Sequence, residues 1–112
     1  MAELGRSCYQ RGWVLGTSGN FSAVITRTPL VLTITASGLH KGTLSAEQFV
    51  RVGADGTVLE GQGRPSAETA LHLTVVRVRQ AGAVVHTHSV WSTLVSGFHG
   101  ESGGVSIAGY EM

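Results

Sequence analysis

The chain has 112 residues, of which 42% are hydrophobic, and a formal net charge of +1, so it has room for one domain with a modest core. The near-neutral charge argues against a broad nucleic-acid surface, and the sequence contains no apolar run of the roughly 20 residues that a membrane span needs. A single cysteine, Cys8, excludes an internal disulfide and favours a reducing, cytoplasmic setting.

The first part of the chain predicts one helix and two strands. Residues 1–12 are expected to form a short helix that ends at Gly12, because glycine favours helix ends. Two stretches rich in β-branched residues, 21–26 and 30–36, predict strands that are joined by a turn at Pro29.

The middle of the chain predicts a hairpin followed by a helix. Residues 49–52 and 57–59 flank an Asp-Gly pair, which is typical of a hairpin turn. Ser66 is a good N-cap for a helix that ends at Gly82. The helical period predicts the packed face of this helix, which comprises Ala67, Leu71, Thr74, Val75 and Val78.

The last part of the chain predicts a buried strand over residues 83–88, a short helix over 90–96 and a short strand over 105–107. Hairpins combined with a helix that leads into a buried strand indicate a mixed α/β domain. Only 13% of the residues are charged, which predicts that further protein covers part of the surface, either as a homo-oligomer or as another part of the domain.

Two histidines separated by one residue lie at the end of the predicted strand over 83–88. Side chains alternate along a strand, so His86 and His88 are expected to face the same way with Cα atoms about 6.5 Å apart. Two such imidazoles suit one metal ion, most simply Zn²⁺. They equally suit two hydrogen-bonded histidines at a strand end, and the spacing alone leaves both interpretations open.

Three loops of small residues, 16–20, 35–38 and 64–68, offer backbone N–H groups and short polar side chains that suit a phosphate. Each loop taken alone is more often an ordinary turn or cap. Lys41 follows the second loop and is either an added cation or, more simply, a surface lysine. Glu68 is either an acid that the helix dipole stabilises or a group that approaches the metal.

As a set, these motifs resemble the class II aldolase/adducin family over essentially the whole chain, 1–112, taken as the N-terminal part of one such domain. The motifs are Gly16-Thr17-Ser18-Gly19-Asn20-Phe21-Ser22, Ile34-Thr35-Ala36-Ser37-Gly38, Pro65-Ser66-Ala67-Glu68 and His86-Thr87-His88-Ser89. The closing residues 109–112 look most like the dehydratase branch of that family. They also resemble the start of an element, so we expect a chain that is truncated at its C-terminus.

The resemblance implies a three-layer α/β/α fold with a central, mainly antiparallel sheet that is incomplete in this chain. It implies a homotetramer with one zinc ion per subunit, held by His86, His88 and a third histidine from beyond residue 112. It also implies a substrate phosphate held at positions matching the family's, which are Gly19, Asn20, Ser37, Gly38, Ser66 and Ala67.

The resemblance further implies an acid/base glutamate, which corresponds to Glu68 in the aldolases and to Glu111 in the dehydratases. We therefore expect a zinc-dependent lyase that removes water from a methylthio-substituted ketose phosphate in methionine salvage. We expect this small sugar phosphate to be its binding partner, and we expect it to bind neither nucleic acid nor a membrane. Two alternatives remain, namely a sugar-phosphate aldolase or epimerase and a non-catalytic, adducin-like module.

Overall fold

The structure is a computed structural model that describes residues 1–106 and 108–109. Short 3-10 turns at Lys41–Thr43 and Ala46–Gln48 lie between the second and third strands. The helices and strands, in chain order, are α1 (Ala2–Gln10), β1 (Asn20–Arg27), β2 (Leu30–Thr35), β3 (Phe49–Gly53), β4 (Val58–Glu60), α2 (Thr69–Arg79), β5 (Ala83–His86) and α3 (Val90–Phe98).

The strands form one sheet in the order β4-β3-β2-β1-β5, and every neighbouring pair is antiparallel. Both predicted hairpins are therefore confirmed, as is the helix that ends just before Gly12, which has a φ of +71°. The sheet together with its helices confirms the predicted α/β fold with a mainly antiparallel sheet.

The two faces of the sheet carry different helices. Strand register places Ser22, Ile34 and Val50 in one row on the face that α2 covers. Phe21 points to the opposite face and packs with Cys8 of α1, which gives three layers. The buried cluster under α2 consists of Leu32, Ile34, Ala36, Val50, Val52, Leu73 and Val76.

The prediction of which side of α2 packs on the sheet is wrong. Leu71 and Val78 are 53% and 72% exposed. The helix begins at Thr69 rather than at Ser66, and its buried residues are Thr69, His72, Leu73 and Val76. Valines and leucines occur on both sides of this helix, so the period alone did not determine which side packs on the sheet.

Two predictions for the strands in the last part of the chain also need correction. Strand β5 ends at His86 and lies at the edge of the described sheet, with Val85 48% exposed, so it is not buried as predicted. Val105 and Ser106 are not in a strand, and Ile107 lies outside the described residues. Among the described helices, none combines the length and apolar character that a membrane crossing requires.

Candidate active site

The first half of the candidate site forms where β1 and β5 pair. Asn20 is the register partner of His86, and strand alternation turns both side chains toward α2. Gly19 lets the chain just before β1 lie close to Val14 and to the end of β5. A β-carbon at this position would lie 2.4 Å from the Val14 side chain and 2.7 Å from the His86 carbonyl oxygen. Its φ of +71° is also a conformation that glycine adopts without strain.

Glu68, just before α2, links these two strand residues. Its Oε2 accepts hydrogen bonds from Nδ2 of Asn20 and, at 2.7 Å, from Nδ1 of His86. The hydrogen bond from Asn20 is the largest cause that holds the pKa of Glu68 below its usual range. Burial opposes it as the next largest, and the hydrogen bond and charge of His86 add to the lowering of the pKa. The carboxylate is therefore ionised at neutral pH.

The imidazoles of His86 and His88 lie together, with ring centroids 4.8 Å apart and planes tilted by 35°. The backbone N–H of His88 donates to the Trp13 carbonyl oxygen at 2.7 Å, which fixes the chain just after β5 ends. In the neutral imidazole, a proton on Nδ1 that is donated to Glu68 leaves the lone pair on Nε2, as in metal sites where a carboxylate orients a histidine ligand.

The donor set fits part of a zinc site. Two imidazoles and an adjacent carboxylate are ligand types that zinc prefers, and catalytic sites use three protein ligands. Within residues 1–106 and 108–109, no group of three or more histidine, cysteine or acidic side chains is arranged to hold a metal. The pair His86 and His88 would therefore need a further ligand, which is what the family resemblance implies.

A cavity of about 290 Å³ lies beside this cluster. All three predicted phosphate loops line it, and so do Glu68 and His88. Ser66 is buried, and its Oγ accepts from the backbone N–H of Glu68 at 3.3 Å. The predicted site residues that line the cavity are Gly19, Asn20, Ser37, Gly38, Ser66, Ala67, Glu68 and His88.

The second and third loops are joined by backbone contacts. Ala36 forms a β-bridge with Pro65, and the N–H of Ser37 donates to the Arg64 carbonyl oxygen at 2.8 Å. The two segments are therefore held side by side at one wall of the cavity, although they lie about thirty residues apart in the sequence.

Lys41 connects the first loop with Leu39, the residue that follows the second loop. The expectation of a surface lysine is wrong, because the residue is only 1% exposed. Its Nζ donates to the carbonyl oxygens of Thr17 at 2.9 Å and of Leu39 at 2.7 Å. Burial lowers the pKa of this ammonium group. The side chain thus connects these two segments and places a cationic group in the lining of the cavity.

Sequence reasoning missed His72 and the roles of Thr17 and Thr35 in this region. His72 is fully buried beneath Asn20, and its spacing from Thr69 and Val76 was the available indication. Thr35 lines the cavity and accepts the backbone N–H of Phe21 at 3.2 Å. The predicted residue Glu111 lies outside the described residues.

Comparison with protein families gives a match along nearly the whole chain. The family model described as Class II Aldolase and Adducin N-terminal domain matches residues 1–111. The methylthioribulose-1-phosphate dehydratase of Sorangium cellulosum (strain So ce56) is 46% identical over 114 residues, covering 100% of this chain and 53% of that protein. The chain spans about half the length of such curated relatives.

Solved structures share the fold. YgbL from Escherichia coli superposes with a TM-score of 0.77 and 37% identity, covering 86% of this chain and 45% of that chain. The L-fuculose-1-phosphate aldolase from Thermus thermophilus gives a TM-score of 0.70 and 34% identity. The match covers 88% of this chain and 48% of that chain.

Proposed function

The chain belongs to the class II aldolase and adducin family, and on that premise we propose that it forms the phosphate-binding half of a zinc-dependent methylthioribulose-1-phosphate dehydratase. The reaction removes water from 5-methylthioribulose 1-phosphate and yields a 2,3-diketo-5-methylthiopentyl 1-phosphate. Support comes from the relative of that name, which matches this chain along its whole length.

One observation carries the proposal. A single cavity is lined by residues of all three predicted phosphate loops and also by Glu68 and His88. A ketose 1-phosphate needs this combination, because its carbonyl carbon is separated from the phosphate by only one methylene group. The phosphate and the reacting carbons must therefore be held in the same small space.

The loops bind and orient the phosphate. Backbone N–H groups near Gly19 and Gly38 and the hydroxyls of Ser37 and Ser66 supply neutral donors, while Lys41 adds a positive charge to the lining. These groups contact a part of the substrate that does not react. Their binding energy therefore serves to fix the carbonyl end at Glu68 and His88.

His86 and His88 would hold the zinc ion, with a third ligand from beyond the described residues. Bound there, Zn²⁺ would polarise the carbonyl of the substrate. Glu68 holds His86 in place through the hydrogen bond at Nδ1 and keeps Nε2 available as the ligand atom. This contact supports a positioning role for Glu68, which leaves the proton transfer to another group.

We assign the proton transfer to Glu111. Its carboxylate would take the proton from C3, beside the C2 carbonyl, and the electron pair of that C–H bond forms an enediolate. The hydroxyl group on C4 then leaves as water after a general acid donates a proton to it. Ketonisation of the resulting enol gives the diketone, so that one water is lost and no redox partner is needed.

The proposal is tested by comparing Glu111→Gln with Glu68→Gln in the whole protein at saturating zinc. Glu111→Gln should retain substrate binding and lower kcat by about 10²–10⁴-fold, which is the usual contribution of general acid–base catalysis. The dephosphorylated sugar serves as a control substrate and should be used far less well. An active Glu111→Gln enzyme would refute this assignment.

A class II sugar-phosphate aldolase is the second candidate, because the ionised Glu68 lines the cavity at the position of the aldolase glutamate. Such an enzyme would break a carbon–carbon bond instead of losing water. It is favoured if Glu68→Gln abolishes turnover at saturating zinc while Glu111→Gln leaves turnover intact.

A further inference from the structure

His72 is a buried polar residue that the proposed chemistry does not use. It is 0% exposed and lies on the α2 face that packs on the sheet. It does not belong to the lining of the cavity, so it is not placed to touch a substrate there. A buried imidazole is costly unless both ring nitrogens have partners.

Both partners come from β1. Oγ of Ser22 lies 2.7 Å from Nδ1 of His72, and Oδ1 of Asn20 lies 2.6 Å from Nε2. Asn20 and Ser22 are two residues apart on one strand, so both face α2. The Asn20 amide also contacts Glu68, because its Nδ2 donates a hydrogen bond to Oε2 of that residue.

For a neutral His72, only one arrangement of protons satisfies these contacts. The ionised Glu68 carboxylate can only accept, so the NH₂ group of Asn20 must face it and the amide oxygen must face His72. Nε2 of His72 must therefore carry the proton. Nδ1 is then an acceptor and takes the hydroxyl hydrogen of Ser22.

The other arrangements of a neutral His72 place one acceptor against another. A proton on Nδ1 of His72 would leave the lone pair of Nε2 facing the Asn20 oxygen. A flipped Asn20 amide would instead turn its oxygen toward the Glu68 carboxylate. Buried unpaired acceptors of this kind are destabilising, so the neutral Nε2–H form of His72 sets the direction of the Asn20 amide.

We propose that His72 is a positioning residue of the site, which acts through Asn20 to hold Glu68 against His86. The consequence for catalysis rests on the proposed function, but the arrangement itself does not. The doubly protonated ring would also satisfy the contacts with Asn20 and Ser22, but burial and then the positive charge of a protonated His86 lower the pKa of His72 and so favour the neutral form. Losing the Nε2 donor should loosen Glu68 and therefore weaken the hold on the metal ligand.

A matched pair of variants in the whole protein tests this. The amide of His72→Gln ends near the position of Nε2 and can still donate to Asn20. The amide of His72→Asn ends near Nδ1 and keeps only the contact with Ser22. The zinc dissociation constant should stay close to wild type in His72→Gln and rise about 10–100-fold in His72→Asn, which is typical when a partner behind a metal ligand is lost. Equal losses in the two variants would refute the proposal.

Nitrogen NMR of the labelled wild-type histidines tests the arrangement without any substitution. His72 should be neutral with its proton on Nε2, and a proton on Nδ1 would overturn the proposal even if neither variant folds. Neither measurement uses the sugar phosphate. If wild-type protein fails to turn over 5-methylthioribulose 1-phosphate, the proposed function is refuted while the inference about His72 is still decided.

Discussion

His86 and His88 differ in what holds them. His86 is held by the Glu68 carboxylate at Nδ1, whereas His88 is held through its backbone N–H, which donates to Trp13. The imidazole of His86 therefore has one orientation imposed on it before any metal binds. Among the described residues, the His88 ring makes no such hydrogen bond to a carboxylate and lies against the ring of His86, with centroids 4.8 Å apart.

We predict that His86 and His88 bind zinc. His86→Ala and His88→Ala should each lower the zinc content of the whole protein from about one ion per chain to well below that, since a catalytic zinc needs three protein ligands. His99→Ala is the control, because His99 is exposed at the end of α3. Zinc content is measured by elemental analysis after dialysis. Unchanged zinc in both ligand variants would contradict the prediction.

At the scale of elements, α2 contributes to both the core and the site. Leu73 and Val76 pack into the cluster above the sheet, while Glu68 precedes the first residue of the helix. The same packing that stabilises the helix therefore fixes the distance between Glu68 and the β1–β5 pair.

The packing of α2 is tested by Leu73→Ala against Leu71→Ala, which remove the same atoms from opposite sides of one helix. Leu73 is 4% exposed and its loss should lower the free energy of unfolding by about 2–5 kcal/mol. Leu71 is 53% exposed and its loss should change that energy by only about 0.5 kcal/mol. Urea denaturation measures both. A larger loss in Leu71→Ala than in Leu73→Ala would mean that α2 packs as the helical period first suggested.

At the scale of the whole molecule, the described residues leave much apolar surface uncovered. On α3, Trp91 is 77% exposed and Phe98 is 84% exposed. Exposed aromatic groups of this size are uncommon on isolated domains and agree with the expectation that other protein covers part of this surface.

Stability should depend on pH through His72. Its pKa in the folded state lies below the ordinary value of 6.5, so the unfolded chain binds a proton more readily. The contribution of His72 to stability is therefore fully present above about pH 6.5 and is lost as the pH falls below that value.

Chemical denaturation of the zinc-free protein between about pH 8 and about pH 5 measures this effect, and zinc is removed so that metal release does not contribute. Wild type should lose stability over this range more steeply than His72→Gln, which has no titrating group at that position. Parallel curves for the two proteins would exclude His72 as the source.

The sequence by itself predicted most of the local elements and the kinds of group that line the candidate site. β-Branched stretches with a turn at Pro29 and one Asp-Gly turn predicted the two hairpins, because such signals depend on neighbouring residues. Small polar loops and a His-x-His pair predicted a phosphate and metal site for the same reason. The resemblance drawn from the motifs is confirmed by the family match over residues 1–111.

Only the tertiary structure decided which groups meet. Both sides of α2 are apolar enough to pack, so the burial of His72 in place of Leu71 depended on the sheet beneath it. Lys41 is polar and follows a turn, yet it is buried, and its ammonium group donates to the carbonyl oxygens of Thr17 and Leu39. Asn20, Glu68 and His86 lie far apart in the chain, and their contacts exist because β1, α2 and β5 pack together. Such long-range contacts carry no local pattern, which is the physical reason that sequence periodicity did not reveal them.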